Sequence, residues 1–279
     1  KNVIYLKNFS VKKEIIEENT RPVLLSYPKR LNIDFYVDRF HLRVLRGSDP
    51  LVKAAQKLRF RSFFKQRLDS NQSDSDEFDK FCDHLVVIDT SISKEFVVGT
   101  YRLLLDNGNH SNIKLYTETE FDLKRLRKKN IRILEAGRSC VDEDYRDKGI
   151  IRILWKGLSK YIIKQNIKFI TGCASFPYDN YSLLNKQLSY LHHYHLAPKK
   201  YRSFALENKK AHWKLLPKNS FEKKEIFKTL PPLIKAYLRV GSWIGDGAII
   251  DEEFKTIDVC IILKKENILN KYLTMSVKK

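Results

Sequence analysis

The sequence predicts a mixed α/β domain, one central sheet covered by helices. Three observations predict it. Short apolar runs of strand length recur at residues 84–89, 96–105 and 169–174. A strongly periodic helix, residues 149–166, lies between them, with Ile150, Leu154, Leu158, Tyr161 and Ile162 at helical spacing. Hydrophobic residues make up 43% of the 279, enough for a sizeable core, and no apolar run reaches the roughly 18 residues of a membrane span.

The elements follow in chain order. Residues 1–35 alternate short apolar stretches with charge, carry Pro22 and Pro28, and read as a loosely structured arm; residues 36–279 read as a single domain. Ser48-Asp49-Pro50 is a helix start, a capping side chain followed by a proline whose missing N–H does no harm. That helix is expected to run to about Arg67, with Leu51, Ala54, Ala55 and Leu58 on one face. Residues 70–79 are too rich in Ser and Asp for a core element. Two strands come next, 84–89 and 96–105. Residues 121–129 predict a short basic helix, and 131–141 a strand interrupted by Gly137. After helix 149–166 and strand 169–174, helices are expected at 182–193 and 231–240, with strands at 248–251 and 256–263. Basic and aromatic residues mix without periodicity over 199–228. No internal repeat or low-complexity linker is visible.

Lys and Arg number 53 against 33 Asp and Glu, a net charge of +20 that suits an anionic partner. A nucleic-acid module has none of its usual signatures here: no helix-turn-helix, zinc-finger spacing or RNP motif. The four cysteines, Cys82, Cys140, Cys173 and Cys260, form no CxxC pair and read as small core residues of a reducing compartment. His192, His193 and His195 do not share one helical face, and no HExxH occurs, so no metal site is expected. No signal-peptide pattern opens the chain, and a cytoplasmic location is expected.

The most informative stretch is 131–155: a strand, then Arg146-Asp147-Lys148-Gly149-Ile150-Ile151, then a helix. A tight basic loop at a helix N-terminus is an anion site, because its N–H groups and the helix dipole favour phosphate. The segment resembles the GNAT superfamily, whose Arg/Gln-x-x-Gly-x-Gly/Ala loop cradles the pyrophosphate of coenzyme A. Arg146 and Gly149 match; Ile151 stands where a small residue is expected. A phosphopantetheine arm on acyl carrier protein brings only one phosphate near the loop, and that carrier is acidic, so the resemblance and the charge together favour it as donor. Acyl-coenzyme A with another amine acceptor is the alternative. No permanently bound cofactor is expected.

The chain is also similar to acyl-homoserine-lactone synthases. It has Arg59-Phe60, Asp76 and Asp79, Gly99-Thr-Tyr-Arg102 and Glu135-Ala-Gly-Arg138, in that order. Over residues 40–263 it resembles the L-ornithine Nα-acyltransferases. The shared stretches include Asp79-Lys-Phe-Cys-Asp-His84, Gly137-Arg-Ser-Cys-Val141, Gly172-Cys-Ala-Ser-Phe176 and Pro231-Pro-Leu-Ile-Lys235. The resemblance implies a GNAT-like sheet whose splayed strands form the acyl-donor cleft. It implies transfer of a 3-hydroxyacyl group from acyl carrier protein to the α-amine of ornithine, giving lyso-ornithine lipid. Such a product, with no spanning segment in the chain, suits peripheral contact with an anionic bilayer.

An amine attacking a thioester must lose a proton, and the developing oxyanion needs donors. Glu135 is the candidate to orient or deprotonate the amine, or else only an ion-pair partner of Arg138 or Arg102. N–H groups after Gly137, near Cys140 and Val141, are candidate oxyanion donors. Arg102 and Arg138 suit a carboxylate, since guanidinium forks match it bidentately. Asp76, Asp79, Asp246 or Asp258 would take a distal ammonium. Ser139 and Cys140 are not needed as nucleophiles in a direct transfer. Glu135 and Arg138 lie three apart, on opposite faces of an ideal strand; a bulge permitted by Gly137 would bring both to one pocket.

Overall fold

Asp34-Phe-Tyr-Val alternates exposed and half-buried side chains and turns back at Asp38, whose φ is 53°. The result is a hairpin of β1 (Asp34–Val37) and β2 (Phe40–Arg46). The structure, a computed structural model, describes residues 31–64, 72–108, 113–128, 130–177 and 180–268. Most of the expected arm lies outside them, but its last residues do not stay loose: Ile33 is buried and Asp34 already pairs in the sheet.

Helix α1 (Val52–Phe63) begins two residues later than Pro50 suggests. Asp49 Oδ1 accepts the Leu51 N–H at 2.9 Å, a side-chain turn that occupies the expected first positions. The helix ends at Phe63, and residues 65–67 of the expected extension lie outside the described part. The two expected strands form, β3 (Asp83–Asp89) and β4 (Val97–Asp106), and pair antiparallel.

The basic helix expected at 121–129 is absent. Phe121 and Asp122 form strand β5 (Phe121–Asp122), which pairs with β8 (Phe204–Ala205). Asp122 Oδ1 accepts the Lys124 N–H at 2.8 Å, which closes a turn where a helix would have to continue. Phe121, Leu123 and Leu126 are buried under this ribbon, with the basic residues on its rim.

Strand β6 (Ile133–Val141) leads to α2 (Ile150–Lys164), entered through Gly149 at φ 75°, a left-handed position that glycine takes without strain. Strand β7 (Phe169–Pro177) and helix α3 (Tyr181–His195) follow, then β8, α4 (Lys223–Thr229) and α5 (Pro232–Arg239). Strands β9 (Trp243–Ile244), β10 (Ile249–Asp251) and β11 (Thr256–Lys264) complete the described fold.

The main sheet runs β1-β2-β3-β4-β6-β7-β11-β10, with β9 also on β11. Every pairing is antiparallel except β6 with β7. Ile150, Leu154, Leu158 and Ile162 of α2 pack on Leu42, Leu85 and Leu134 on one face. Val52, Ala55 and Leu58 of α1 pack on Leu45, Val86 and Ile88 on the other.

Two irregularities shape the centre. Strands β6 and β7 pair only through Ile133↔Phe169, Leu134↔Ile170 and Glu135↔Thr171, and then diverge. The divergence starts where Gly172 presses on Ala136: a Cβ on Gly172 would lie 2.4 Å from the Ala136 carbonyl oxygen. Between β4 and β6 the register passes from Arg102↔Gly137 to Thr100↔Cys140, so Arg138 and Ser139 together face Tyr101. This is the expected bulge, but its strained residue is Arg138, at φ 50°, and not Gly137. Such a conformation costs a non-glycine residue roughly 1–3 kcal/mol.

Candidate active site

A cavity of about 340 Å³ opens where β6 and β7 part. Because side chains alternate along a strand, the opening joins the two faces of the sheet. Arg102, Tyr116, Glu135, Arg138, Asp251 and Asp258 line one end. Tyr101, Ala136, Ala174, Leu233 and Tyr237 line the other, beside α5. The bulge therefore brings Arg102, Glu135 and Arg138 to one cavity despite their strand spacing.

The two arginines arrive already paired. Arg59 of α1 is fully buried and donates Nε to Asp74 at 2.7 Å and Nη1 to Asp79 at 2.8 Å. Arg102 donates Nη1 to both oxygens of Asp76 at 2.6 Å. Arg138 reaches Asp74 at 3.2 Å and Asp76 at 3.3 Å. Three guanidinium groups thus meet three carboxylates. Burial opposes ionising Asp79, but the hydrogen bond and charge of Arg59 prevail and hold it well below the usual carboxylate range. Residues 74 and 79 contradict the expectation that 70–79 stays out of the core: both are buried, because Arg59 supplies the charge that lets them be. Asp79 is thereby committed to Arg59 and does not line the cavity, and Asp76 is held by two arginines. Tyr116 roofs the pair, its ring 5.6 Å from the Arg102 guanidinium and 4.8 Å from that of Arg138.

Glu135 pairs with neither arginine. Its Oε1 accepts the Tyr116 N–H at 3.1 Å and its Oε2 the Thr117 N–H at 2.6 Å. It thus caps the 3₁₀ turn at Tyr116–Thr119 and positions the Tyr116 ring. Burial pushes its carboxyl above the ordinary range, against the hydrogen bonds from Thr117.

Cys140 packs its side chain toward α1, and burial pushes the thiol up to about 12. Neither Cys140 nor Val141 lines the cavity; at the bulge Ser139 does. In the α2 loop Arg146 and Lys148 are exposed, while Ile150 is fully buried against Gly99, so it offers an anion only its N–H. Ile151 is half-buried. The first N–H groups of α2 have no intrahelical acceptor.

Asp246 lies away from the cavity, 3.7 Å from Arg202 and 3.9 Å from His192. His193 meets the Leu216 carbonyl at 2.7 Å, and His195 meets the Tyr190 hydroxyl at 3.0 Å. Asp258 does reach the cavity. Glu120, Asp251 and Cys173, which sequence reasoning missed, sit beside it. Glu120 falls in a polar stretch with no periodicity, directly before β5, and its carbonyl accepts the Leu206 N–H at 2.9 Å, so pairing of β5 with β8 helps to hold it. Burial above all, then the charge of Asp258, pushes Glu120 up to about 7. Burial pushes Asp258 up to about 6, against hydrogen bonds from Thr256 and Ser175. Among the described residues, Glu120, Cys173 and Asp258 bring one possible ligand atom each within 4.8 Å of one another.

A sheet parted beside a loop-capped helix, with a cavity through the parting, defines an acyltransferase of the GNAT class. The family model described as an acetyltransferase (GNAT) domain matches residues 58–156, from α1 into α2. The chain is 39% identical over 242 residues to an L-ornithine N(alpha)-acyltransferase of Brucella abortus, covering 82% of this chain and 86% of that protein. It is 37% identical to the enzyme of the same name from Agrobacterium fabrum, covering 80% of each. The chain belongs to the L-ornithine N(alpha)-acyltransferase family. Among solved structures, FeeM, an N-acyl amino acid synthase from uncultured soil microbes, superposes with a TM-score of 0.47 at 9% identity. That match covers 84% of this chain and 98% of that one.

Proposed function

We propose that this acyltransferase moves a 3-hydroxyacyl group from acyl carrier protein to the α-amine of ornithine, forming lyso-ornithine lipid. The observation that carries the reading is the cavity through the sheet, charged at one end and aromatic and aliphatic at the other. An acyl thioester suits the apolar end and an amino acid the polar end. The names of the relatives support ornithine as acceptor.

In this reading the α-nitrogen lone pair attacks the thioester carbon, and a C–N bond forms as the carbonyl becomes an oxyanion. N–H groups at the Arg138–Ser139 bulge stabilise that oxyanion. The C–S bond then breaks and the thiolate leaves. The proton lost by nitrogen passes through Glu135, directly or by way of water, and ends on the departing sulfur. Arg102 and Arg138, fixed by Asp76, present the positive edge that meets the acceptor carboxylate. Arg146, Lys148 and the α2 N-terminus face the donor phosphate. The half-buried Ile151 narrows the loop, which favours one phosphate over a pyrophosphate.

The test is an acyl-transfer assay that crosses two donors, 3-hydroxyacyl carrier protein and 3-hydroxyacyl-coenzyme A, with a panel of amino acids. The expected product is Nα-acylornithine from the carrier-bound donor. Equal rates with acyl-coenzyme A would overturn the donor, and a better acceptor than ornithine would overturn the acceptor.

A further inference from the structure

Arg102 and Arg138 pair with Asp74, Asp76 and Asp79, whereas Asp251 and Asp258, which line the cavity, and Glu120, which meets Asp258 without lining it, have no ion pair among the described residues. Glu120 is 2% exposed and Asp258 5%. Their side chains and the Cys173 sulfur converge within 4.8 Å, and Asp251 lines the cavity beside them. The Cys173 thiol hydrogen-bonds Glu120, and the Thr256 hydroxyl donates to Asp258 Oδ1 at 2.7 Å. Even so, among the described residues the buried Glu120 Oε2 is left without a hydrogen-bond partner. A buried carboxylate oxygen without a donor costs free energy unless a ligand supplies the donor.

We infer that Glu120 and Asp258 form the seat of the acceptor's side-chain ammonium, and so read the second amine of the amino acid. This rests on the ornithine reading above. An ammonium brings three N–H donors and one positive charge, which complements two carboxylates, one of them with an unpartnered oxygen. A divalent metal fits less well. Burial between the two acids holds the Cys173 thiol far above its ordinary range, so the thiolate a metal would require is disfavoured.

Spacing makes the seat selective. Glu135 stands opposite Thr171, and Cys173 lies two residues further along β7. Two strand residues advance about 6.6 Å. An extended ornithine separates its two nitrogens by about 6 Å, five bonds that each advance ~1.25 Å along the zigzag. An α-nitrogen near Glu135 thus lets the side-chain nitrogen approach the acid pair, a match that a shorter or longer diamine fits less closely.

The experiment compares ornithine with norvaline, which has the same carbon chain without the distal amine, using wild-type enzyme and the variants Glu120→Gln and Asp258→Asn. Wild type is expected to favour ornithine over norvaline by at least tenfold in kcat/KM. Each variant should raise the KM for ornithine tenfold or more, raise that for norvaline far less, and so collapse the preference. Equal use of both amino acids by wild type overturns the ammonium seat while leaving acylation of the α-amine standing. Failure to acylate ornithine with either donor overturns the functional reading itself. Should the variants not fold, the wild-type comparison still decides. A stoichiometric divalent metal in the purified protein, with ornithine preference lost on chelation, would also overturn the proposal.

Discussion

Arg59 and Asp79 form a two-pronged buried ion pair, Nη1 to Oδ1 at 2.8 Å and Nη2 to Oδ2 at 2.9 Å. It joins α1 to the segment before β3 and fixes the aspartates that hold Arg102 and Arg138. Removing one partner of such a pair leaves an uncompensated buried charge. Arg59→Ala should therefore cost about 3–5 kcal/mol in urea unfolding. An unchanged midpoint would mean the pair contributes nothing net. The acid limb has a definite sign. Asp79 is depressed from an ordinary 3.8, so its contribution is full above that value and is lost as pH falls below it toward the folded value.

Glu135→Gln should lower turnover by about 10²-fold or more if the carboxylate handles the amine proton. The same change weakens the cap on Tyr116 and Thr117, so the melting temperature should fall slightly. A variant that loses melting temperature but keeps near-normal turnover would reduce Glu135 to the cap alone.

Ornithine binding should strengthen as pH rises. Asp258 and Glu120, raised to about 6 and about 7, are neutral in acid and cannot hold an ammonium until they ionise. The charged and titratable groups facing them are Asp251, Cys173, Cys260, Lys209 and Arg138. The KM for ornithine should fall as pH rises from 5.5, by a factor approaching 10 per unit for a single controlling group, and level off above about 7 once both acids are ionised. For the free protein the sign reverses. The folded state keeps these protons where the unfolded chain has lost them, so the pair's contribution is full below the ordinary carboxylate range and is lost as pH rises through 6 to 7. Thermal shift by ornithine at both ends of the range checks the two statements together. A flat KM would sink the first.

Arg146 and Lys148 are exposed, and exposed charge pairs are screened by salt. Raising ionic strength should raise the KM for acyl carrier protein. Arg146→Glu with Lys148→Glu should raise it roughly tenfold at low salt and remove most of the salt dependence. A carrier KM indifferent to both would place the docking surface elsewhere.

No helix among the described residues is long and apolar enough to cross a membrane. If the product reaches a bilayer, contact through Lys and Arg clusters should be weak and reversible. Sedimentation with anionic vesicles should be lost at high salt and absent with zwitterionic ones. Binding that survives salt would point to an inserted segment.

Local rules made much of the chain legible from sequence. Short apolar runs located β3, β4 and β7, helical spacing located α2, and Gly149 marked its start, because each depends on neighbours within a few residues. Ordered motifs brought out Arg102, Glu135 and Arg138. What sequence could not determine was which charge meets which. Arg59 lies 15 residues from Asp74 and 20 from Asp79, and only the packing of α1 against the sheet turns a polar stretch into a buried anchor. The same holds at 121–129. Its apolar residues suit helix or strand, and pairing with Phe204 and Ala205 decided for strand. That distant ribbon also helps to hold Glu120 beside Asp258. Desolvation and like charge, which exist only once the chain is folded, turn Glu120 and Asp258 into a candidate ammonium seat.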